Sequence, residues 1–454
     1  MTRNFAATPS IDDAIVDAGG VVPLMRNRDF PAFIFPIEAE FSNWRSEEHA
    51  WRETVALMDL SQHMTNLFIE GAGAAQLLSG LAVNSFVGFR PGIAKQFVGV
   101  NIDGYVIGDG ILFYLGENSF DLVGQHSLVD WVRYNIEQSS LDVTYRLDGN
   151  ALVREGDPEL YRFQLQGPRA LDLIGELTGT AVPSVKFFHM TEFTIAGRHV
   201  RALRHGMAGQ PGFELFGPWE DGLAVREAIM NGGVRFGIQA VGARAYGSTP
   251  LEAGWIPTPV PAIFGPEMAA YRQWLPSSRV GSLGGSFQSE RIEDYYLTPA
   301  ELGYGRHVKF DHEFVGRGAL ERRAEVATRR KVTLIWNSDD VADAMRSHLQ
   351  DGLPSKWIEF PKARYAYHQY DAVLVEDELV GISTDAGHLV NDSLFVSLAT
   401  VEESIADGAE VEVLWGEDPV SRKPSVEPHR QCRIRAVVAP APLSDFARTT
   451  YRGR

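Results

Sequence analysis

Residues 94–124 read AKQFVGVNIDGYVIGDGILFYLGENSFDLVG. β-rich apolar runs alternate there with residues that reverse a chain: Asp103-Gly104, Gly108-Asp109-Gly110 and Gly116 to Asn118. The pattern predicts a three-stranded antiparallel meander. Upstream, Thr65 to Gly71 alternates as a strand, and Gly73 to Ala82 reads as a helix after a glycine-rich turn. Downstream, Ser127 to Gln138 sets Leu128, Trp131, Val132 and Ile136 on one helical face.

The same plan repeats further along. A strand at Tyr161 to Gln166 precedes a helix from Pro168, strands at Phe193, Val200 and Phe213 to Phe216, and a helix from Trp219 to Met230. Two similar α+β halves are expected. Residues 247–289 are rich in Gly, Pro and Ser, which suggests long irregular loops bordering a pocket. From Lys331 onward β-runs dominate, at Lys331 to Trp336, Tyr365 to Glu376, Leu379 to Ser383, Leu394 to Val401 and Glu410 to Trp415, as in a barrel or sandwich. The expected fold class is therefore α+β, with domains over 1–150, 151–328 and 329–454. The basic cluster Arg322, Arg323, Arg329, Arg330 and Lys331 reads as a solvated linker.

With 454 residues, 44% of them hydrophobic, the chain can bury a large core. Its formal net charge of −17 argues against nucleic acid or an anionic membrane as partner. One cysteine, Cys432, excludes an intramolecular disulfide and suits a reducing compartment. The first residues lack a basic and apolar leader, and no apolar run approaches the roughly 20 residues that span a bilayer. A soluble, cytoplasmic protein is expected. Phosphate-loop, dinucleotide-loop, nucleophile-elbow and HExxH patterns are absent, and the spacings of His199 and His205 and of His307 and His312 do not suit metal ligation. Any chemistry then relies on a bound organic cofactor or substrate.

Seven collinear segments resemble the glycine-cleavage aminomethyltransferase family. They are MDLSQHMTNLFIEGAGAAQLL (58–78), VNIDGYVIGDGIL (100–112), FQLQGPRAL (163–171), QPGFELFGP (210–218), VGARAYGSTPLEAGW (241–255), ELGYGRHVKFDHEFVGRGAL (301–320) and LVGISTDAGHLVNDSLFVSLATVE (379–402). The resemblance implies two ferredoxin-like α+β domains plus a C-terminal β-barrel around a central folate-type site, with tetrahydrofolate as cofactor. AEFSNWRSEEHAWR (39–52), Ala245-Tyr246 after Arg244, and GWIPTPVPAIFG (254–265) resemble the branch that demethylates vanillate- or syringate-type aryl ethers.

The resemblance also implies site residues, each with a plainer alternative. Glu214 would bind the pterin, whose N–H donors suit a two-oxygen acceptor, or point to the surface. Gln166 would touch the folate or cap a helix, and Trp255 would stack on a planar ring or pack in the core. Asp109 retains one member of an Asp-Asp pair that handles the amine in aminomethyltransferases, or serves a turn. Tyr246 would protonate a departing phenolate, because its ordinary pKa of about 10 matches that of the leaving phenol. His63 would touch the aromatic substrate. Arg244 and Glu252 would form a supporting ion pair. Where these demethylases are expected to hold a carboxylate with an arginine, the chain has Gln125, and DFPAFIFP (29–36) offers Phe33 and Phe35, so the substrate pocket would favour a bulkier or uncharged aromatic.

Taken together, these features point to a tetrahydrofolate-dependent one-carbon transferase that O-demethylates a methoxylated lignin-derived aromatic. Two other expectations stay open: a lyase that releases formaldehyde from a lignin-type aromatic dimer, and a folate-binding module without turnover.

Overall fold

The computed structural model describes residues 8–29, 35–323, 329–418 and 421–451. Helices α1 (Ile11–Ala18), α2 (Val21–Arg26) and α3 (Trp44–Glu53) lead into strand β1 (Val55–Asp59). The first half then follows as β2 (Thr65–Glu70), α4 (Ala74–Leu81), β3 (Ala94–Val100), β4 (Val106–Gly116), β5 (Ser119–Gly124), α5 (His126–Gln138) and β6 (Thr144–Asp148). Its strands form a five-stranded antiparallel sheet in the order β3-β4-β5-β2-β6. Leu67, Ile69, Phe120 and Leu122 bury one face of it against Leu77 and Leu78 of α4 and Leu128 and Val132 of α5.

The meander has three strands, as expected, but only two turns. Gly108-Asp109-Gly110 lies inside β4, paired with Gly99, Val98 and Phe97 of β3. The glycines serve packing there: a Cβ on Gly108 would lie 2.8 Å from Ser127 Oγ and 3.0 Å from Leu128 N, so α5 can begin hard against the strand.

The second half runs β7 (Leu160–Gln166), α6 (Ala170–Thr178), β8 (Met190–Ile195), β9 (Arg198–Leu203), β10 (Gly212–Pro218), α7 (Trp219–Gly233) and β11 (Ile238–Val241). Its sheet has the order β11-β1-β7-β10-β9-β8. Strand β1, from the first half of the chain, therefore pairs parallel to β11 and antiparallel to β7. Strand β7 alternates strictly. Tyr161, Phe163 and Leu165 pack under Leu173 and Ile174 of α6 and Val225 and Ile229 of α7, while Arg162, Gln164 and Gln166 project from the opposite face.

That opposite face meets the first sheet. Phe113 and Val123 from one sheet and Leu203 and Phe216 from the other form a shared apolar cluster. Beside it Arg162 crosses the interface. Its guanidinium bonds Glu214 on its own sheet, and Nη2 donates to Asn66 Oδ1 at 2.8 Å and Asp121 Oδ2 at 3.0 Å on the other sheet. Phe113 and Phe216 cover it at 5.1 Å each.

Short helices α8 (Ala243–Tyr246) and α9 (Thr249–Ala253) follow, and then largely irregular chain that includes β12 (Leu283–Gly284), in agreement with the loops expected over 247–289. The last third comprises β13 (Arg329–Trp336), β14 (Lys362–Ala363), β15 (His368–Gln369), β16 (Asp371–Val375), β17 (Glu378–Leu389), β18 (Leu394–Glu402), β19 (Glu410–Trp415) and β20 (Cys432–Pro440). The order β17-β16-β19-β20-β13-β18, closed by β17–β18 pairing, makes a six-stranded barrel around Trp336, Trp415 and Ile434. Strand β20 and the helix Ser338–Arg346 add to the elements expected from sequence; in β20 the exposed Arg433 and Arg435 alternate with the buried Ile434 and Ala436. The expected run Tyr365 to Glu376 divides into β15 and β16. Arg329, Arg330 and Lys331 belong to β13 rather than to a solvated linker: Arg329 pairs with Glu301 at 2.6 Å, and Lys331 Nζ donates to Gly254 O at 2.6 Å and Leu302 O at 2.9 Å.

Removing Arg162 leaves two buried carboxylates facing one another without their cation. Arg162→Ala is expected to cost about 3–5 kcal/mol of stability, read as a fall in the urea midpoint; a midpoint equal to that of the parent chain would contradict the bridging role.

Candidate functional site

The inner faces of the two sheets carry a continuous polar layer. On the second sheet Glu214 sits opposite Gln164, and Gln166 opposite Gly212, across the β7–β10 ladder. Gln166 Nε2 donates to Gln164 Oε1 at 2.7 Å, and Gln164 Nε2 donates to Glu214 Oε2 at 3.2 Å. The turn after β9 locks both amides: Met207 N donates to Gln164 Oε1 at 2.9 Å and Ala208 N to Gln166 Oε1 at 3.0 Å. Glu214 is thus an inward residue, buried and paired, and not a surface-pointing one.

On the first sheet Asp121 and Asn66 share the inner face with Asp109, two residues before Ile111 and four before Phe113 on β4. Asp109 Oδ2 accepts from Gln96 Nε2 at 2.7 Å, Tyr304 Oη at 2.8 Å and Trp255 Nε1 at 3.1 Å. Burial pushes its carboxyl up to about 6 against the pull of these donors and of Lys331. Asp121 rises to about 7, from burial first, with the Glu214 charge adding to it and Arg162 opposing.

Tyr246 ends α8, a segment fixed from α3. Glu47 accepts from Gly242 N at 2.8 Å, Glu48 accepts from Ser248 Oγ at 2.8 Å, and Glu252 accepts from Trp51 Nε1 at 3.2 Å and Arg52 Nη2 at 2.9 Å. Gly242 has to be glycine, because a Cβ would lie 2.4 Å from Ala39 O. The expected Arg244–Glu252 pair does not form. Arg244 turns outward to Glu40 at 2.6 Å, while Glu252 faces inward to α3.

So placed, Tyr246 Oη lies 3.1 Å from His63 Nε2, with ring centroids 4.9 Å apart. Phe35 also meets the imidazole edge-on, at 5.8 Å. Burial lowers His63 to about 4, which keeps the imidazole neutral near pH 7. Burial, and secondarily the Glu214 charge, raise the Tyr246 phenol above its ordinary range, so it stays protonated. His63 Nδ1 is a buried atom without a hydrogen bond.

Gln125, with Asp109, His126, Pro257 and Tyr367, lines a small pocket between the first sheet and the proline-rich loop. Both ends of its amide are engaged, Oε1 by Tyr367 Oη at 2.6 Å and Nε2 by Pro257 O at 3.0 Å. Phe33 lies outside the described residues. The structure thus gathers Glu214 with Gln166, Asp109 with Trp255, and Tyr246 with His63 and Phe35. Arg162, Gln164, Asn66, Asp121, Gln96 and Tyr304 join the site in addition to the residues expected from sequence. The signal for the first two was present in YRFQLQ, where polar residues alternate with apolar ones in a strand expected to be buried. Among the described residues no group of three or more His, Cys, Asp or Glu side chains is placed to hold a metal ion, and no helix is long and apolar enough to cross a membrane.

Comparison with known proteins matches residues 14–258 to the family model of the GCVT N-terminal domain. The chain is 45% identical over 450 residues to a syringate O-demethylase of a Sphingobium species, covering 97% of both. It is 29% identical over 413 residues to a sesamin methylene transferase of a Sinomonas species, covering 85% of this chain and 88% of that protein. Its fold is similar to the glycine cleavage system aminomethyltransferase T of Bartonella henselae, with a TM-score of 0.62 at 18% identity, over 92% of this chain and 95% of that one.

Asp121 has a raised pKa in the folded chain, so between its unfolded value of 3.8 and about 7 the folded state holds a proton that the unfolded state has released. Its contribution to stability therefore falls as pH rises through that window. Asp121→Asn keeps an acceptor for Arg162 and removes this titration. Urea unfolding at about pH 5 and about pH 8 should show a smaller loss of stability with pH in the variant than in the parent; equal losses would exclude Asp121 as a source of it.

Proposed function

This chain belongs to the GCVT family, and we propose that it is a tetrahydrofolate-dependent O-demethylase that moves the methyl group of a methoxylated, lignin-derived aromatic onto the folate. The observation that carries this reading is the Tyr246–His63 pair: a phenol held protonated, 3.1 Å from a neutral imidazole, beside a polar layer suited to a pterin. The whole-length likeness to a syringate O-demethylase supports the same reaction.

The residues present fit the cofactor. Beyond Arg162 and Gln164, the Glu214 carboxylate keeps lone pairs for the amino and ring N–H donors of a pterin, and Gln164 and Gln166 extend the edge with both donors and acceptors. Trp255, tied to Asp109, offers an indole face to a planar ring. Bound tetrahydrofolate supplies a secondary amine nitrogen that takes the methyl group.

The protein's own work is alignment and proton control. Holding two reactants in register can supply about 7–11 kcal/mol of the barrier. As the methyl–oxygen bond breaks, its electron pair stays on the aryl oxygen, and Tyr246 Oη, its phenol held above the ordinary range, donates a hydrogen bond to that oxygen as the charge develops. His63, hydrogen-bonded to the phenol, orients it. Asp109, with a carboxyl that titrates near 6, is matched to receive a proton released on the folate side near neutral pH.

Phe35 against His63 and the Gln125–Tyr367 wall shape the aromatic end of the site. With its amide committed to Tyr367 and Pro257, Gln125 borders substrate as a fixed wall, and Arg279, paired with Asp130 at 2.8 Å, lines the same pocket. We assign the protein to the cytoplasm, a reading supported by its acidic charge and single cysteine, and divide it into domains at about residues 150 and 328, with β1 of the first segment completing the sheet of the second.

Purified protein with tetrahydrofolate and a panel of methoxylated phenols, acids and neutral compounds included, should yield methyltetrahydrofolate by mass spectrometry. Formaldehyde release without folate would point to a lyase instead, and folate binding without turnover of any compound to a binding module. Tyr246→Phe is expected to lower kcat about 10²–10⁴-fold with folate affinity retained; a variant as fast as the parent would remove Tyr246 from the chemistry.

A further inference from the structure

The chain beyond β20 folds back over the turn that holds the site's glutamines. Tyr451 is buried, and its hydroxyl donates to Gly206 O at 2.9 Å. Its ring meets Phe187 edge-on at 5.4 Å and lies beneath the Arg204 guanidinium at 5.8 Å. Gly206 opens the turn whose next two amides bind Gln164 and Gln166. It sits directly on the second glutamine, since a Cβ on Gly206 would lie 2.0 Å from Gln166 Nε2. An unbroken path therefore runs from Tyr451 through Gly206–Ala208 to Gln166, Gln164 and Glu214.

The same tail touches the loop that carries Trp255. Gly254 (φ +64) immediately precedes the indole, and a Cβ there would lie 2.7 Å from Pro442 N. Gly209 (φ +63), in the turn after Gly206, approaches the tail equally closely; its Cβ would lie 2.9 Å from that of Ala447. Arg448 braces the tail internally by donating to Leu443 O at 2.6 Å. Two positive-φ glycines thus leave room for one segment against both loops of the site.

Resting on the functional reading above, we propose that the C-terminal tail, residues 442–451, is a positioning element of the folate site, with Tyr451 setting the turn that orients Gln164 and Gln166 toward the amide-like edge of the pterin. Tyr451 touches neither reactant; it acts through the glutamines. Its loss weakens cofactor binding and leaves the methyl-transfer step intact.

The test compares the full chain with Tyr451→Phe and with a chain ending at Leu443. Tetrahydrofolate affinity is measured by calorimetry, kcat at saturating folate, and amide exchange at Met207 and Ala208. For Y451F, loss of one buried hydrogen bond predicts a rise of about three- to ten-fold in Kd, with kcat near that of the parent and faster exchange at both amides. The shortened chain should show the same signature more strongly. Unchanged affinity in Y451F, or a fall in kcat and thermal midpoint without a change in affinity, overturns the proposal. If the parent chain binds no tetrahydrofolate, the functional reading fails instead; exchange at Met207 and Ala208 then decides the tail's role, faster in Y451F supporting control of the turn and unchanged refuting it.

Discussion

The structure depends on one buried cation. Arg162 stands between two sheets, each of which presents a carboxylate that could not remain buried alone. One guanidinium satisfies Glu214 from the second sheet and Asp121 and Asn66 from the first, so the spacing of the layers is set by hydrogen bonds as well as by the Phe113 and Phe216 rings on either side. Burial raises the affinity of Asp121 for a proton, and the Glu214 carboxylate on the far side of the same cation adds to it. The bridge is thus both a structural tie and the source of local field, which reaches as far as the Tyr246 phenol.

A second constraint comes from α3. Its acidic pair, Glu47 and Glu48, and the Trp51–Arg52 pair grip Gly242, Ser248 and Glu252, so the two short helices around Tyr246 are held at both ends by buried acceptors. Neither helix is long enough to be stable by itself. The segment AEFSNWRSEEHAWR, set apart in the sequence by its aryl-demethylase likeness, therefore contributes geometry rather than a reacting group.

Much of the fold was legible because it rests on local periodicity. The meander, both amphipathic helices of each half and most barrel strands follow from spacing two or 3.6. The errors have local causes. Gly108 and Gly110 read as turn formers, yet they sit mid-strand because α5 needs the space their missing side chains leave. Strand β20 carries a period of two as well, exposed Arg433, Arg435 and Val437 alternating with buried Ile434, Ala436 and Val438, and so was legible on the same grounds. In the site, Glu214 and Tyr246 stood out as polar residues in apolar or glycine-rich settings. The partners that tune them, Asp121 from β5 and Tyr304 from a distant loop, become neighbours only through the stacking of the sheets, which no short window of sequence contains.

Strand β1 gives the chain an order of assembly. It is complete at Asp59, but the strands on either side of it, β7 and β11, begin at Leu160 and Ile238. On the ribosome β1 emerges long before either neighbour exists, while β2 to β6 can already pair among themselves. The first sheet can therefore form as the chain appears, and the second must wait for nearly two hundred further residues before it closes around a strand made at the outset. A break in the chain near residue 150 would part the second sheet from an internal strand, so the two halves are distinct in architecture but not separable as fragments.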